Sequence, residues 1–131
     1  MFIEGMTFVI LTATPLHTWV IISDPIQNSE YVVHVNFTTL YPDLPPNDPR
    51  NDRSCVLVAG DHSSITHTTI VYYGGVLTAS AAHLTHRYNK GSLRLNDAVT
   101  PTILDKIRRG AAVSDHITPF AVELLMEQHL I

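Results

Sequence analysis

The sequence predicts a mainly β domain with C-terminal helices, an α+β fold built as a small barrel, and three observations carry that expectation. Up to about Thr78 the chain is written in short β-branched and aromatic runs separated by turn residues. Its last third switches to two Thr-Pro helix starts followed by apolar residues at helical spacing. At 131 residues and 45% apolar content, the whole chain, 1–131, suits one domain around one core and is short for two.

The strands come first. Met6 to Thr14 is rich in Thr, Phe, Val and Ile, Trp19 to Ile22 is continuously apolar, and Tyr31 to Thr39 alternates Val33, Val35 and Phe37 against His34, Asn36 and Thr38. Ser23-Asp24-Pro25 and Gln27-Asn28-Ser29 separate these runs, because Pro fixes φ while Asn and Ser bond their own backbone in turns. Residues 40–53 hold Pro42, Pro45, Pro46 and Pro49 with three Asp and two Arg, a composition that neither donates a sheet ladder nor fills a core. A mobile surface loop is expected there. Cys55 to Val58 and Thr69 to Tyr73 resume strand character, and Gly74-Gly75 ends or bulges the second before Val76-Leu77-Thr78.

Val99-Thr100-Pro101 and Ile117-Thr118-Pro119 then repeat one grammar: an apolar residue before the cap, Thr as N-cap and Pro at the first helical position. The first helix is expected over about 100–109, ending at Gly110 behind Arg108 and Arg109; the second over about 118–128, with Ala121, Leu124 and Leu125 on one stripe. A shorter helix from about Ser80 to Leu84 has a weaker signal.

The formal net charge of -4 gives no general attraction for phosphate, yet six of the eight basic residues fall between Arg87 and Arg109. That segment reads either as a local positive face or as a solvated helix surface. Cys55 is alone, which excludes an intrachain disulfide and agrees with a reducing cytoplasm; inside an apolar run it reads as a small hydrophobe. Glu4 stands where a signal peptide would carry positive charge, and no apolar run approaches membrane-spanning length. The expectation is a soluble, unexported, cytoplasmic protein without a membrane partner.

Chemistry concentrates in the block Ser54 to Tyr73, where Asp61, His62 and His67 stand among hydroxyls between two strand-like runs. Imidazole gives and takes protons near neutral pH, so His62 and His67 are candidate acid–base groups, Asp61 a candidate orienting group, and Ser64, Thr66 and Thr68 candidate donors to phosphate oxygens. Two His five residues apart share no face of a regular strand or helix, so they converge only if Ser63 to Thr66 turns back. The block reads equally as a tight Gly60-Asp61 turn with both His bonded to backbone.

The order of strands, Pro-rich loop, strands and helices resembles the PemK/MazF-like toxins, small SH3-like barrels of bacterial type II toxin–antitoxin pairs. In that family an Arg-Pro pair opens an apolar strand ending in Ser, and a second strand ends in a Pro-Ile-Thr-Ser-like element. His17-Thr-Trp-Val-Ile-Ile-Ser23 is similar to the first, with His17 where the Arg would stand, and Val35-Asn36-Phe37-Thr38-Thr39 is similar to the second. Lys90-Gly91-Ser92-Leu93 followed by the Thr100 helix looks like the family's close, so the likeness covers about Leu16 to Gly110. The Ser54 to Tyr73 block looks like a divergent branch of that family with its own Gly60-Asp61-His62 signature.

The resemblance implies cleavage of single-stranded RNA without metal or cofactor, neutralisation by an antitoxin protein, and site residues His17 and Thr38. A histidine in the Arg position is a real departure, since imidazole supplies no permanent planar fork of donors. Cleavage by 2′-hydroxyl attack then needs His17, His62 or His67 to divide the roles of base and acid, with Asp61 and Thr38 orienting. The alternative is a non-catalytic barrel that binds an antitoxin peptide, another protein or nucleic acid. Arg87, Lys90 and Arg94, interleaved with Tyr88, are candidates for following an RNA backbone and stacking a base. Asp61, His62 and His67 are competent zinc ligands, but neither a Cys pair nor a His-x3-His accompanies them, and no metal site is assigned. The apolar run Phe120 to Met126 exceeds what a surface helix needs and fits a homodimer interface.

Overall fold

The computed structural model describes all 131 residues. Six strands, β1 (Thr7–Ile10), β2 (Thr18–Ile21), β3 (Val32–Thr39), β4 (Val56–Leu57), β5 (Thr69–Ala79) and β6 (Leu93–Asn96), form one antiparallel sheet in the order β4-β5-β3-β2-β1-β6. Three helices complete an α+β fold: α1 (Ala81–Asn89), α2 (Pro101–Val113) and α3 (Pro119–Glu127). No helix is long and apolar enough to cross a membrane.

The period-2 pattern of β3 explains the layering. Val33, Val35 and Phe37 enter the larger core cluster with Val20, Ile22 and Val71, and α2 and α3 supply Leu104, Ile107, Ala121 and Leu125 to it. Val32 instead joins a smaller cluster of Phe2, Phe8, Ile21, Leu84 and Leu93, where α1 covers the other face. Each face of the sheet therefore has its own helical cover, and the central strands are apolar on both sides.

Both Thr-Pro starts form as expected. Thr100 accepts from Ile103 N–H at 3.2 Å and Thr118 from Ala121 N–H at 3.3 Å, with Val99 and Ile117 buried just before them. The first helix does not end at Gly110, however. It runs on to Val113, because Gly110 is a packing position: a Cβ there would stand 2.8 Å from Cys55 Cβ and 2.9 Å from Ser54 O. The thiol of Cys55 is 2% exposed, and burial pushes it up to about 11, so it behaves as core.

Of the two readings of Gly74-Gly75, the bulge is the one that forms: β5 continues to Ala79, with Tyr73 to Val76 opposite Val35 alone. Gly75 is required there, since its Cβ would lie 2.7 Å from the Tyr72 ring. The short helix from Ser80 extends to Asn89, and Leu93–Asn96 pairs along β1, where no strand was expected. The Pro-rich segment is fastened instead of hanging free: Asn51 Nδ2 donates to Leu44 O and Pro45 O, and buried Asp52 accepts from Ser54 and Ser114.

The two edge strands, β4 and β6, do not pair with each other. Yet His62, in the turn after β4, lies 2.6 Å through Nε2 from Asp97 O, just past β6, and Thr7 Oγ1 donates to the same carbonyl. The sheet must curl for its ends to meet, and this side chain joins them as a small barrel requires.

Candidate functional site

A cleft of about 340 Å³ opens where β3 ends, β2 begins and the turn before β5 returns. Its lining brings His17, Thr38, Thr39, Ser64, His67 and Tyr41 to one place. The antiparallel pairing β2 to β3 and β3 to β5 is what gathers them: Trp19 stands opposite Asn36, and Thr39 opposite Thr69, so residues just outside those pairs crowd the same end of the sheet.

The two imidazoles sit in different hydrogen-bond settings. His17 Nδ1 is 3.3 Å from Phe37 O and, facing a carbonyl, must donate; Nε2 then carries the lone pair. His67 instead meets two hydroxyls, Thr39 Oγ1 at 2.8 Å from Nε2 and Thr66 Oγ1 at 3.2 Å from Nδ1. Hydroxyls accept as readily as they donate, so either ring nitrogen of His67 is free to give or take a hydrogen bond there. Thr69 Oγ1 fixes the segment by donating to His67 O at 2.9 Å.

His62 does not line the cleft. It is 6% exposed, Nδ1 accepts from Ser64 N–H at 3.1 Å and faces Ser64 Oγ at 2.7 Å, and Nε2–H donates to Asp97 O. Both ring nitrogens are engaged, so the ring holds Ser64 at the cleft while closing the sheet. Asp61 is likewise turned to the backbone: Oδ2 accepts from Val58 N–H at 2.8 Å, and Gly60 takes φ 98°, a left-handed turn position that suits glycine. Thr66 reaches the cleft only through His67, and Thr68 does not line it.

The basic segment divides over three elements. Arg87 and Lys90 lie at the end of α1 and Arg94 on β6, none of them on this cleft. On α2, Lys106 donates to Val56 O, Arg108 to Ile22 O, and Arg109 pairs with Asp105. No Arg or Lys lines the cleft. Asp61, His62 and His67 do not converge, and no group of three His, Cys, Asp or Glu stands arranged to hold a metal ion.

Two cleft residues escaped the sequence reading. Thr39 follows Thr38 directly, and only the His67 partnership distinguishes it; Tyr41 sits at the rim, 56% exposed, and its one signal was an aromatic beside the Pro-rich loop.

No protein-family model matches the chain, and no curated protein matches it. Among solved structures, an endoribonuclease in complex with its cognate antitoxin from mycobacterial species is similar, with a TM-score of 0.53 and 18% identity. The match covers 86% of this chain and 92% of that one, and it establishes a shared fold.

Proposed function

We propose that this protein is the toxin of a type II toxin–antitoxin pair and an endoribonuclease that cuts single-stranded RNA by 2′-hydroxyl attack. The observation that carries the reading is the shared cleft, which brings His17 and His67 together at one end of a toxin-like fold. His17 Nε2 takes the 2′-hydroxyl proton, the 2′-oxygen bonds to phosphorus, and the bond from phosphorus to the 5′-oxygen breaks as His67 gives that oxygen a proton. The products are a 2′,3′-cyclic phosphate and a free 5′-hydroxyl.

Thr38, Thr39 and Ser64 supply hydroxyl donors to the phosphate oxygens, taking over part of what a guanidinium would do. Tyr41 offers a ring on which an adjacent base stacks. Ser64 owes its position to His62, which is a positioning residue here, as is Asp61 through its turn. An antitoxin protein that covers this cleft would block the reaction; the structural neighbour is itself an endoribonuclease in complex with its cognate antitoxin.

The lack of an Arg or Lys in the cleft favours a second reading, a barrel that binds an antitoxin peptide or RNA without cutting it. Incubating the purified chain with single-stranded RNA, with and without chelator, separates the two. Cyclic-phosphate ends that disappear in His17→Ala and His67→Ala support cleavage; bound but intact RNA supports the binding module.

A further inference from the structure

On the other face of the sheet lies a second cleft, of about 320 Å³, that shares no residue with the first. Its walls are mainly apolar: Phe8 and Ile10 from β1, Trp19 from β2, Leu77 from β5 and Leu84 from α1. The bulge at Gly74-Gly75 builds it, because the four-residue excursion of β5 resets the register so that Leu77 stands opposite His34.

Two polar groups converge on this apolar space. His34 is 5% exposed, wedged against Phe8 and Trp19 with ring centroids 5.5 Å and 5.3 Å away. Nδ1 donates to Val32 O at 3.0 Å, whereas Nε2 has no partner in the protein although the ring lines the cleft. Burial holds the ring's proton affinity down to about 4, so Nε2 presents a lone pair, an acceptor at the base of an apolar slot. At the rim, Arg87 Nε donates to His83 Nε2 at 3.1 Å, which aims the guanidinium, and no carboxylate pairs with its terminal nitrogens. That is a free, oriented fork for an anion.

We infer that this cleft binds a nucleotide, its base against Trp19 with a ring N–H or amino group donating to His34 Nε2 and its phosphate on Arg87. A pocket of this size with an apolar lining and a few placed polar groups has the usual character of a small-ligand site. Trp19 supplies a ring face, His34 accepts from a donor that a purely aliphatic anion lacks, and Arg87 matches phosphate geometry. The nucleotide comes either free or as one unit of an RNA strand, and the chemistry of recognition is the same.

Trp19 is the single tryptophan, so its indole N–H gives one nuclear magnetic resonance signal inside the site. Titrating the full chain with each of the four ribonucleoside 5′-monophosphates is expected to shift that signal saturably with at least one of them. Arg87→Gln and, separately, Leu77→Glu, which sets a carboxylate beside the phosphate position on an exposed side chain, should each weaken binding by about tenfold or more. His17→Ala should leave it unchanged. A shift with a 5′-phosphorylated oligoribonucleotide and with no monophosphate assigns the site to a strand; a shift with the monophosphates assigns it to free nucleotide. No saturable shift with any of these probes overturns the inference, as does binding that survives both Arg87→Gln and Leu77→Glu but is lost in His17→Ala. Circular dichroism melts of the variants keep misfolding from passing as lost binding.

Discussion

His62 Nε2 lies 2.6 Å from the carbonyl oxygen of Asp97, and through that bond the turn after β4 holds the end of β6. The ring is buried, so removing it leaves a cavity and a Ser64 N–H without its acceptor, while Asp97 O keeps only the Thr7 hydroxyl. His62→Ala should therefore cost about 2–4 kcal/mol of unfolding free energy, read from the urea midpoint. RNA cleavage per folded molecule should fall far less than in His17→Ala. Equal loss of cleavage in the two variants, at unchanged stability, would return His62 to the reacting groups.

His17 and His67 carry the opposite expectation. His17 is half-buried and His67 exposed, so replacing either with Ala should move the melting temperature little. Cleavage should drop by about 10²–10⁴-fold in each, the usual worth of a positioned proton-transfer group. Thr39→Val removes the hydroxyl that meets His67 Nε2 and should cost a smaller factor. Single-turnover assays on one RNA substrate compare all three.

How far the sequence carried the fold depended on whether a signal was local. The caps at Thr100 and Thr118 are written in adjacent residues, and so is the alternation of β3, and each formed where expected. β6 was illegible because of its four residues only Leu93 is buried, leaving Leu-Arg-Leu-Asn no core-facing pattern until β1 pairs with it. Gly110 misled for a similar reason. A glycine behind two arginines has the local form of a helix stop, and only the approach of Tyr73, Cys55 and Ser54 from distant sequence explains it otherwise. For the site, the resemblance placed His17 and Thr38 at one end of the sheet. Spacing alone could not tell which of His62 and His67 faced outward, since that rests on a partner at Asp97, 35 residues away.

His34 makes stability depend on pH in a defined window. Its proton affinity is lowered by burial from 6.5 to about 4. Above about pH 6.5 the ring is neutral folded and unfolded, and its contribution is fully present. As pH falls from there towards 4, the unfolded chain takes a proton that the folded chain refuses, so stability drops; below about 4 both states bind it and the loss levels off. The full loss approaches roughly 3 kcal/mol. Unfolding free energies from denaturant titrations at several pH values in this window should fall more steeply for the native chain than for His34→Gln, and parallel slopes would contradict the assignment.

Gly110 offers the sharpest test of how the helical cover meets the sheet. Tyr73 Oη, which donates to Ile107 O at 2.6 Å, stands where a Cβ on Gly110 would go, with Cys55 Cβ and Ser54 O close behind. Two of these three neighbours are backbone or fixed by the backbone, so little can yield. In an exposed helix interior Gly→Ala would stabilise by up to about 1 kcal/mol; here overpacking reverses the sign, and Gly110→Ala should destabilise by about 1–3 kcal/mol. Tyr73→Phe removes the hydroxyl alone and costs about 1 kcal/mol by itself, because Ile107 O keeps its helical position. Combined with Gly110→Ala, it should recover part of the loss, because the largest clash is gone. A double-mutant cycle on unfolding free energies measures that coupling, and strict additivity would mean that helix and strand do not meet at this point.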